Sequence, residues 1–383
     1  MLKKVRFKNF RCFSKETIID FTRTKYELLE ETNTYNDIVK GAFFWGANAS
    51  GKSSSLFSIS ILFDLLFKEI NVVGSQCYFS KSKEMFFEYT FLEEKDEIVY
   101  YVAFDREGMI KKESLKLNKD ILLNRIYDSA ESKLTENDIF KKEDMNSQSV
   151  FLKTIYFNTK FNSFPVLKKW YESLKEAVYI SFDRIIENQN AIVNFNNNIK
   201  NDIYLDNYLS TYGEKYINDY FEELGLPYRI KYNNKLSNVG GLPVPVEYKI
   251  SFKRDGFDVV FPFVTESIGN KKILAILPSI LHAINNNSIL MIDEFSGSFH
   301  NELVNKTIKF FMKHSQSAQM FVVTHITSIQ KSSLIRPDQI YTLDFGADGA
   351  CINRASSAKP RETQNFEKMY LAGVFGGVPN YND

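Results

Sequence analysis

Cysteine is scarce in this chain: Cys12, Cys77 and Cys351 are the three among 383 residues. Their spacing suits neither a disulfide framework nor a zinc cluster, so the fold must hold without crosslinks, and a reducing, intracellular setting fits best. Histidine is almost as rare, with four residues (His282, His300, His314 and His325), too few to read a histidine-based ribonuclease site. Long hydrophobic runs are missing too. The longest apolar stretches, residues 56–67 and 273–284, are interrupted by Asp64 and His282, are too short to cross a bilayer and read as buried helices. Residues 1–13 (MLKKVRFKNFRCF) alternate basic and apolar side chains like a strand and lack the apolar core of a secretory signal. The expectation is a cytoplasmic protein without a membrane partner. Nor does either sign of charge dominate: 48 Lys+Arg stand against 47 Asp+Glu, a net charge of +1. Overall charge therefore gives no pull toward nucleic acid, and any such contact would need a local patch.

What the chain has is enough apolar material for a large core, 44% of its residues. Residues 2–10, 17–21, 37–45, 85–92 and 98–104 carry the β-branched and aromatic residues of strands, interrupted by one clear helix after Gly51. From 119 to 225 the texture turns charged, Asn-rich and helix-like, as in residues 166–177 and 216–224. This predicts three parts: 1–118, an inserted helical module 119–225, and 226–383. The Asn-rich run 188–201 reads as a solvated connection, and the module is too short for a coiled-coil rod. Strand signals return at 228–232 and 246–252 between Gly- and Pro-marked loops, and the final third alternates helix and strand, the pattern of a sheet flanked by helices.

Four short segments carry chemistry. Gly46, Ala47, Asn48, Ala49, Ser50, Gly51, Lys52 and Ser53 satisfy G-x-x-x-x-G-K-[ST] directly after an apolar strand. A phosphate chain needs several inward-pointing backbone N–H groups, which the glycines permit, and the following helix offers its positive end. Lys52 is expected to reach the β- and γ-phosphates, Ser53 to ligate Mg²⁺, and Ser54 to complete the contact on the helix. Residues 288–294 (SILMIDE) are a buried strand ending in two acids, costly to bury unless a metal or reaction uses them. Asp293 suits the Mg²⁺ shell and Glu294 the general base that orients water. Residues 320–325 (MFVVTH) are a third apolar strand, whose His325 can sense a γ-phosphate. Ser267 and Gly269 open a helix just before the acidic strand, forming an anion-binding tip suited to a partner's nucleotide. Singly, each of the last three has an ordinary structural explanation; their order beside the first motif favours function.

Together these segments resemble the ABC ATPase superfamily, in its soluble branch with SMC, RecF and OLD proteins, and more closely the RloA and AbiL-type ATPases of phage-defence operons. The resemblance rests on residues 8–13 (KNFRCF), 46–53, 266–271 (ESIGNK), 292–300 (IDEFSGSFH), Thr324-His325, 336–340 (RPDQI) and the tail 370–379 (YLAGVFGGVP). It implies an α/β fold: an ABC-type P-loop ATPase head with a mixed sheet, flanking helices and an antiparallel β lobe, carrying an inserted helical module. It further implies that Ser267 and Gly269 touch the γ-phosphate of ATP held by a second subunit, and that 296–300 line the dimer seam. Two departures stand out: Asn270 where the branch shows Thr, and no clear Q-loop glutamine, with Gln76 and Gln148 as candidates. Arg11 or Phe13 either touches adenine or belongs to the strand and core.

The resemblance implies ATP and Mg²⁺ as cofactors, ATP hydrolysis, and a homo-oligomer built from ATP-bridged dimers. Only 58 residues follow His325, too few for the nuclease domain of OLD-type relatives. The expectation is a regulatory ATPase of antiviral defence acting on a separate effector, a nuclease or toxin. The competing reading is a DNA repair or replication ATPase of the RecF or SMC kind, disfavoured by the neutral charge. A transporter subunit ranks last, for want of a full signature and Q-loop.

Overall fold

The computed structural model describes residues 1–68, 72–135, 139–140, 145–181, 192–194, 203–233, 236–239, 242–245, 250–295 and 300–379. The strand Gly41–Gly46 is buried at every position, as are Ile289–Asp293 and Gln319–Val323. Unbroken apolar runs suit strands covered on both faces, the condition of a parallel sheet. These strands form the middle of a seven-stranded sheet, in the order Ile192–Asn194, Val178–Ser181, Ile289–Asp293, Gln319–Val323, Gly41–Gly46, Ile340–Gly346, Gly349–Arg354. The inner strands run parallel and the two edges antiparallel, so every inner strand ends at the same edge.

Because side chains alternate along a strand, each inner strand feeds two cores. Ala42, Phe44, Met291, Phe321 and Val323 join Leu56, Ile59 and Leu62 of the helix Lys52–Phe67. Phe43, Trp45, Leu290, Ile292, Met320 and Val322 join Ile273, Leu277 and Ile280 of the helix Ile268–Asn285, with Ile308 and Phe311 of Asn301–His314. The helix Lys52–Phe67 is buried nearly all round, its small serines included, as suits a helix between two layers. Its outer side meets Val5, Phe7, Phe87 and Tyr89 of an eight-stranded antiparallel sheet, where the Tyr89 hydroxyl donates to the Ser58 carbonyl at 2.8 Å.

The antiparallel sheet reaches beyond the expected boundary at 118. Asp120–Ile126, Ser129–Ser132 and Ile139–Phe140 are its last strands, where a helical module is predicted. They lie at a sheet edge with many exposed positions, and their charged surface reads as helical in sequence. The helices Pro165–Lys175 and Lys215–Glu223 do coincide with the predicted periodic stretches, but between them Val178–Ser181 joins the central sheet beside the acidic strand. Most of the Asn-rich run, Gly240, Gly241 and 246–249 lie outside the described residues.

Two buried ion pairs fasten the layers. Glu113 on the antiparallel sheet accepts the amides of Phe151 (2.7 Å) and Leu152 (2.9 Å), capping the helix Phe151–Thr159, whose own first residues offer no side-chain cap. Arg125 stands 3.6 Å from it. The second pair gives residues 336–340, part of the resemblance, a structural role. Arg336 and Asp338 are fully buried and joined by two hydrogen bonds of 2.9 Å. Arg336 also donates to the Leu28 and Thr24 carbonyls, and Asp338 accepts from the amide and hydroxyl of Thr24. The motif is a clasp holding residues 24–28 against the central sheet. The tail is likewise structural: Phe375 is buried, and Gly377, at φ 74°, donates its amide to Asp344 at 2.8 Å.

Burial alone would raise the Asp338 carboxyl, but hydrogen bonds from Arg336 and Thr24 outweigh it and hold its pKa below the usual value. A lowered folded pKa means the stabilisation is complete above the unfolded carboxyl's value of about 3.9 and is lost as pH falls through the folded one. Asp338→Ala should therefore lower stability at neutral pH by about 3–5 kcal/mol, since it strands a buried guanidinium. Urea unfolding checks this, and the gap between variant and parent should narrow as pH falls below the ordinary carboxyl range.

Candidate functional site

The carboxyl edge of the central sheet is where the predicted residues meet. Gly41–Gly46 leaves the core there, and the chain turns through Ala49 (φ 62°) and Gly51 (φ 105°) into the helix Lys52–Phe67. Space as well as φ restricts the turn. A Cβ on Gly51 would lie 2.8 Å from the Cys12 sulfur and 3.0 Å from Ala350, and one on Gly46 would lie 2.5 Å from the Ser50 hydroxyl. Ser50 Oγ is buried without a hydrogen-bond partner. The helix starts with no side-chain cap, so its first amides are left for something else to satisfy. Lys52 is buried, and its ammonium donates to the carbonyls of Gly46 (3.0 Å) and Ala47 (2.8 Å), folded over the loop. Burial lowers its pKa, while the charges of Glu294 and Asp293 pull it back up.

Across the edge, Asp293 ends its strand with one oxygen 3.1 Å from the Ser53 hydroxyl and the other 3.2 Å from that of Tyr179. Glu294 follows in the left-handed region (φ 61°), a conformation costly for a residue with a Cβ, and one often kept where a side chain must be aimed. Its carboxylate lies 3.4 Å from His325 Nε2. The strand ends are tied through their backbones: Phe295 N–H donates to Val323 (3.0 Å) and Thr324 N–H to Phe44 (3.3 Å). Loop, acids and histidine thus occupy one locale, at the strand ends where open α/β sheets bind ligands.

The second tip is built on the three-stranded sheet Tyr228–Tyr232, Ile250–Arg254, Val260–Pro262. Ser267 caps the helix Ile268–Asn285, accepting from Asn270 N–H at 3.2 Å. Glu266, buried beneath it, accepts from the Asn270 amide (2.7 Å) and Arg254 (3.1 Å), and Tyr228 donates to the Asn270 carbonyl oxygen (2.7 Å). Ser267 is exposed at the surface and Gly269 half-buried.

Residues 42–329, more than half of the chain, match the protein family described as "AAA domain, putative AbiEii toxin, Type IV TA system". The chain belongs to this family. Among solved structures, an SMC head bound to the C-terminal winged-helix domain of ScpA superposes with a TM-score of 0.53 at 14% identity, covering 92% of this chain and 97% of that one. The SMC head domain from Thermotoga maritima gives a TM-score of 0.49 at 15% identity, covering 92% and 97%. No curated protein sequence matches the chain. The fold is that of an SMC-head-like ABC ATPase, mixed α/β with an antiparallel lobe, and the family is that of AAA-type, ATP-binding ATPases.

One residue beside Asp293 falls outside the sequence reading, and other readings resolve. It is Tyr179: its strand follows a helical stretch without a break and reads as part of the helical module. Phe13 is a core residue, buried and edge-on to Phe7 at 5.1 Å, directly under Gly51. Arg11 places its guanidinium 3.8 Å over the Phe57 ring. The glutamine candidates lie elsewhere: Gln76 donates to the Asp105 carbonyl at 2.6 Å, and Gln148 is exposed in the turn before Phe151–Thr159. Residues 296–299 lie outside the described residues; His300 caps Asn301–His314, accepting from Glu302 N–H at 3.3 Å.

Gly51→Ala combines left-handed strain, about 1–2 kcal/mol, with the clash against Cys12 and Ala350. Its melting temperature should fall clearly below that of Gly74→Ala, a position where an added Cβ meets nothing within 4 Å.

Proposed function

We propose that this chain binds Mg·ATP at residues 46–54 and Asp293 and hydrolyses it, two copies closing face to face around two nucleotides. The observation that carries the reading is the 3.1 Å contact between Ser53 and Asp293, which brings phosphate loop and acidic strand to one point. The residues fit a magnesium ion. Octahedral Mg²⁺ with bonds of 2.0–2.1 Å places neighbouring oxygens about 3 Å apart, the separation these two already have. When bound, the ion would neutralise charge building on the phosphates.

The backbone amides of the loop and helix start would hold the phosphate chain, with Lys52 leaving its carbonyl contacts for the β- and γ-phosphates. Glu294 would orient a water and take its proton as the water oxygen bonds to the γ-phosphorus. The bond from that phosphorus to the β,γ-bridging oxygen breaks, and ADP leaves with the electron pair. His325, beside Glu294, would hydrogen-bond the γ-phosphate and register its departure. Ser267 and Gly269 would reach the γ-phosphate in the second copy, on a tip already stiffened by Glu266, Asn270 and Tyr228.

We further propose that ATP-driven closure controls a separate effector, a nuclease or toxin, in bacterial antiviral defence, as in RloA and AbiL-type systems. The family's description as an AbiEii toxin of a type IV toxin–antitoxin system supports that setting. The SMC head seated on a winged-helix domain supports partner docking by a head of this fold. Helices within 151–223 would hold or sense the partner. Among the described residues no helix is long and apolar enough to cross a membrane.

Phosphate release from purified chain, with and without effector, tests the hydrolysis. Glu294→Gln should lower turnover by more than ~100-fold while nucleotide still binds, and Lys52→Ala should abolish binding and turnover alike. Turnover unchanged in both variants would overturn the reading. Light scattering should show ATP-dependent dimers for Glu294→Gln and monomers for Glu294→Gln combined with Ser267→Arg.

A further inference from the structure

We propose that Tyr179 is a positioning residue for Asp293, clamping the carboxylate oxygen that Ser53 does not touch and thereby setting the Mg²⁺ dependence of nucleotide binding. The assignment rests on reading Ser53 and Asp293 as the magnesium site.

A carboxylate at the end of a strand turns easily about its last torsion, which has broad, two-fold minima. Asp293 is held from both sides. Ser53 donates to one oxygen at 3.1 Å and Tyr179 to the other at 3.2 Å, and the aspartate and the tyrosine are both buried. Register explains how Tyr179 gets there. In the parallel pairing, Tyr179 lies opposite Met291 and Ser181 opposite Asp293, so Tyr179 starts two residues short of its partner on the same face. Two residues of strand rise about 6.6 Å, and only a long side chain laid along the strand places a hydroxyl beside Asp293.

The ring is held in its turn. It stacks on Phe57 with centroids 5.7 Å apart and planes at 24°, and the Arg11 guanidinium lies 3.8 Å over the Phe57 ring. Ser53 and Phe57 are four residues apart on the helix Lys52–Phe67 and so share a face. One rigid helix therefore carries the hydroxyl on one carboxylate oxygen and the support for the hydroxyl on the other. Loss of the phenol oxygen would free the carboxylate to rotate without disturbing the phosphate loop.

The test separates metal from nucleotide. In a Glu294→Gln background, where turnover is suppressed, a fluorescent ATP analogue (MANT-ATP) is titrated in EDTA and then against Mg²⁺. Tyr179→Phe keeps the ring and its stacking. It should bind the analogue in EDTA as the parent does, while its half-saturating Mg²⁺ concentration rises about tenfold, the usual effect of losing a residue that orients a metal ligand. A Mg²⁺ titration superimposing on the parent's overturns the proposal. Should Tyr179→Phe melt early, Phe57→Leu retains the hydroxyl and loosens its support; a raised Mg²⁺ midpoint supports the clamp and an unchanged one overturns it. Failure of the parent itself to bind the analogue is a different result, which removes the nucleotide site and this assignment with it.

Discussion

A carboxylate at the end of a fully buried strand is an unstable arrangement unless its neighbours are arranged for it. Moving such a group out of water costs several kcal/mol even after relaxation, more than one hydrogen bond to a charged group returns, about 1.5–3 kcal/mol. Asp293 meets the difference with two hydroxyls and the nearby charge of Lys52. Those partners come from a helix start and from a neighbouring strand. Neither element can shift without exposing or orphaning the acid, so the geometry of the phosphate loop and that of the acidic strand are one constraint. The strand carrying His325 lies between them and is tied to both through backbone bonds.

The tip at Ser267 obeys a similar economy of polar groups on a separate support. Asn270 departs from the threonine of the related branch, and its amide has a use. It donates to Glu266 with one atom and accepts from Tyr228 with the other, spanning two partners that a single hydroxyl oxygen would have to serve alone. Glu266 in turn is fixed by Arg254. Burial would raise the Glu266 carboxyl, yet hydrogen bonds from Asn270 and Arg254 bring its pKa below the usual value, so a negative charge stands directly under the capping serine. The helix start is thereby held rigid while Ser267 stays open to the surface.

The residues that meet at the carboxyl edge and depend on local backbone geometry were legible in the sequence. Glycines at 46 and 51, Lys52, Ser53 and the acid pair announce themselves because a phosphate-binding turn and a buried acidic strand end admit few residue types. The fold class followed from fully apolar strands alternating with helices. What stayed hidden depended on long-range register. Tyr179 has no motif of its own; its role exists only because Val178–Ser181 pairs with Ile289–Asp293. The strands 120–126 and 129–132 were missed for a different reason. At a sheet edge half their positions face water, and period-two signals dissolve into charged residues there.

The resemblance itself mixed two kinds of residue that only the structure separates. Residues 46–53 and 293–294 stand at an open edge, with a buried hydroxyl left unpartnered and a helix start that no side chain caps. Arg336 and Asp338 face no such opening: six hydrogen bonds, to one another and to Leu28 and Thr24, engage the guanidinium and both carboxylate oxygens. A polar cluster that satisfies itself has no capacity left for a ligand, however motif-like its sequence. By that criterion the clasp at 336–340 serves the proposed site at the carboxyl edge indirectly, by holding residues 24–28 against the central sheet.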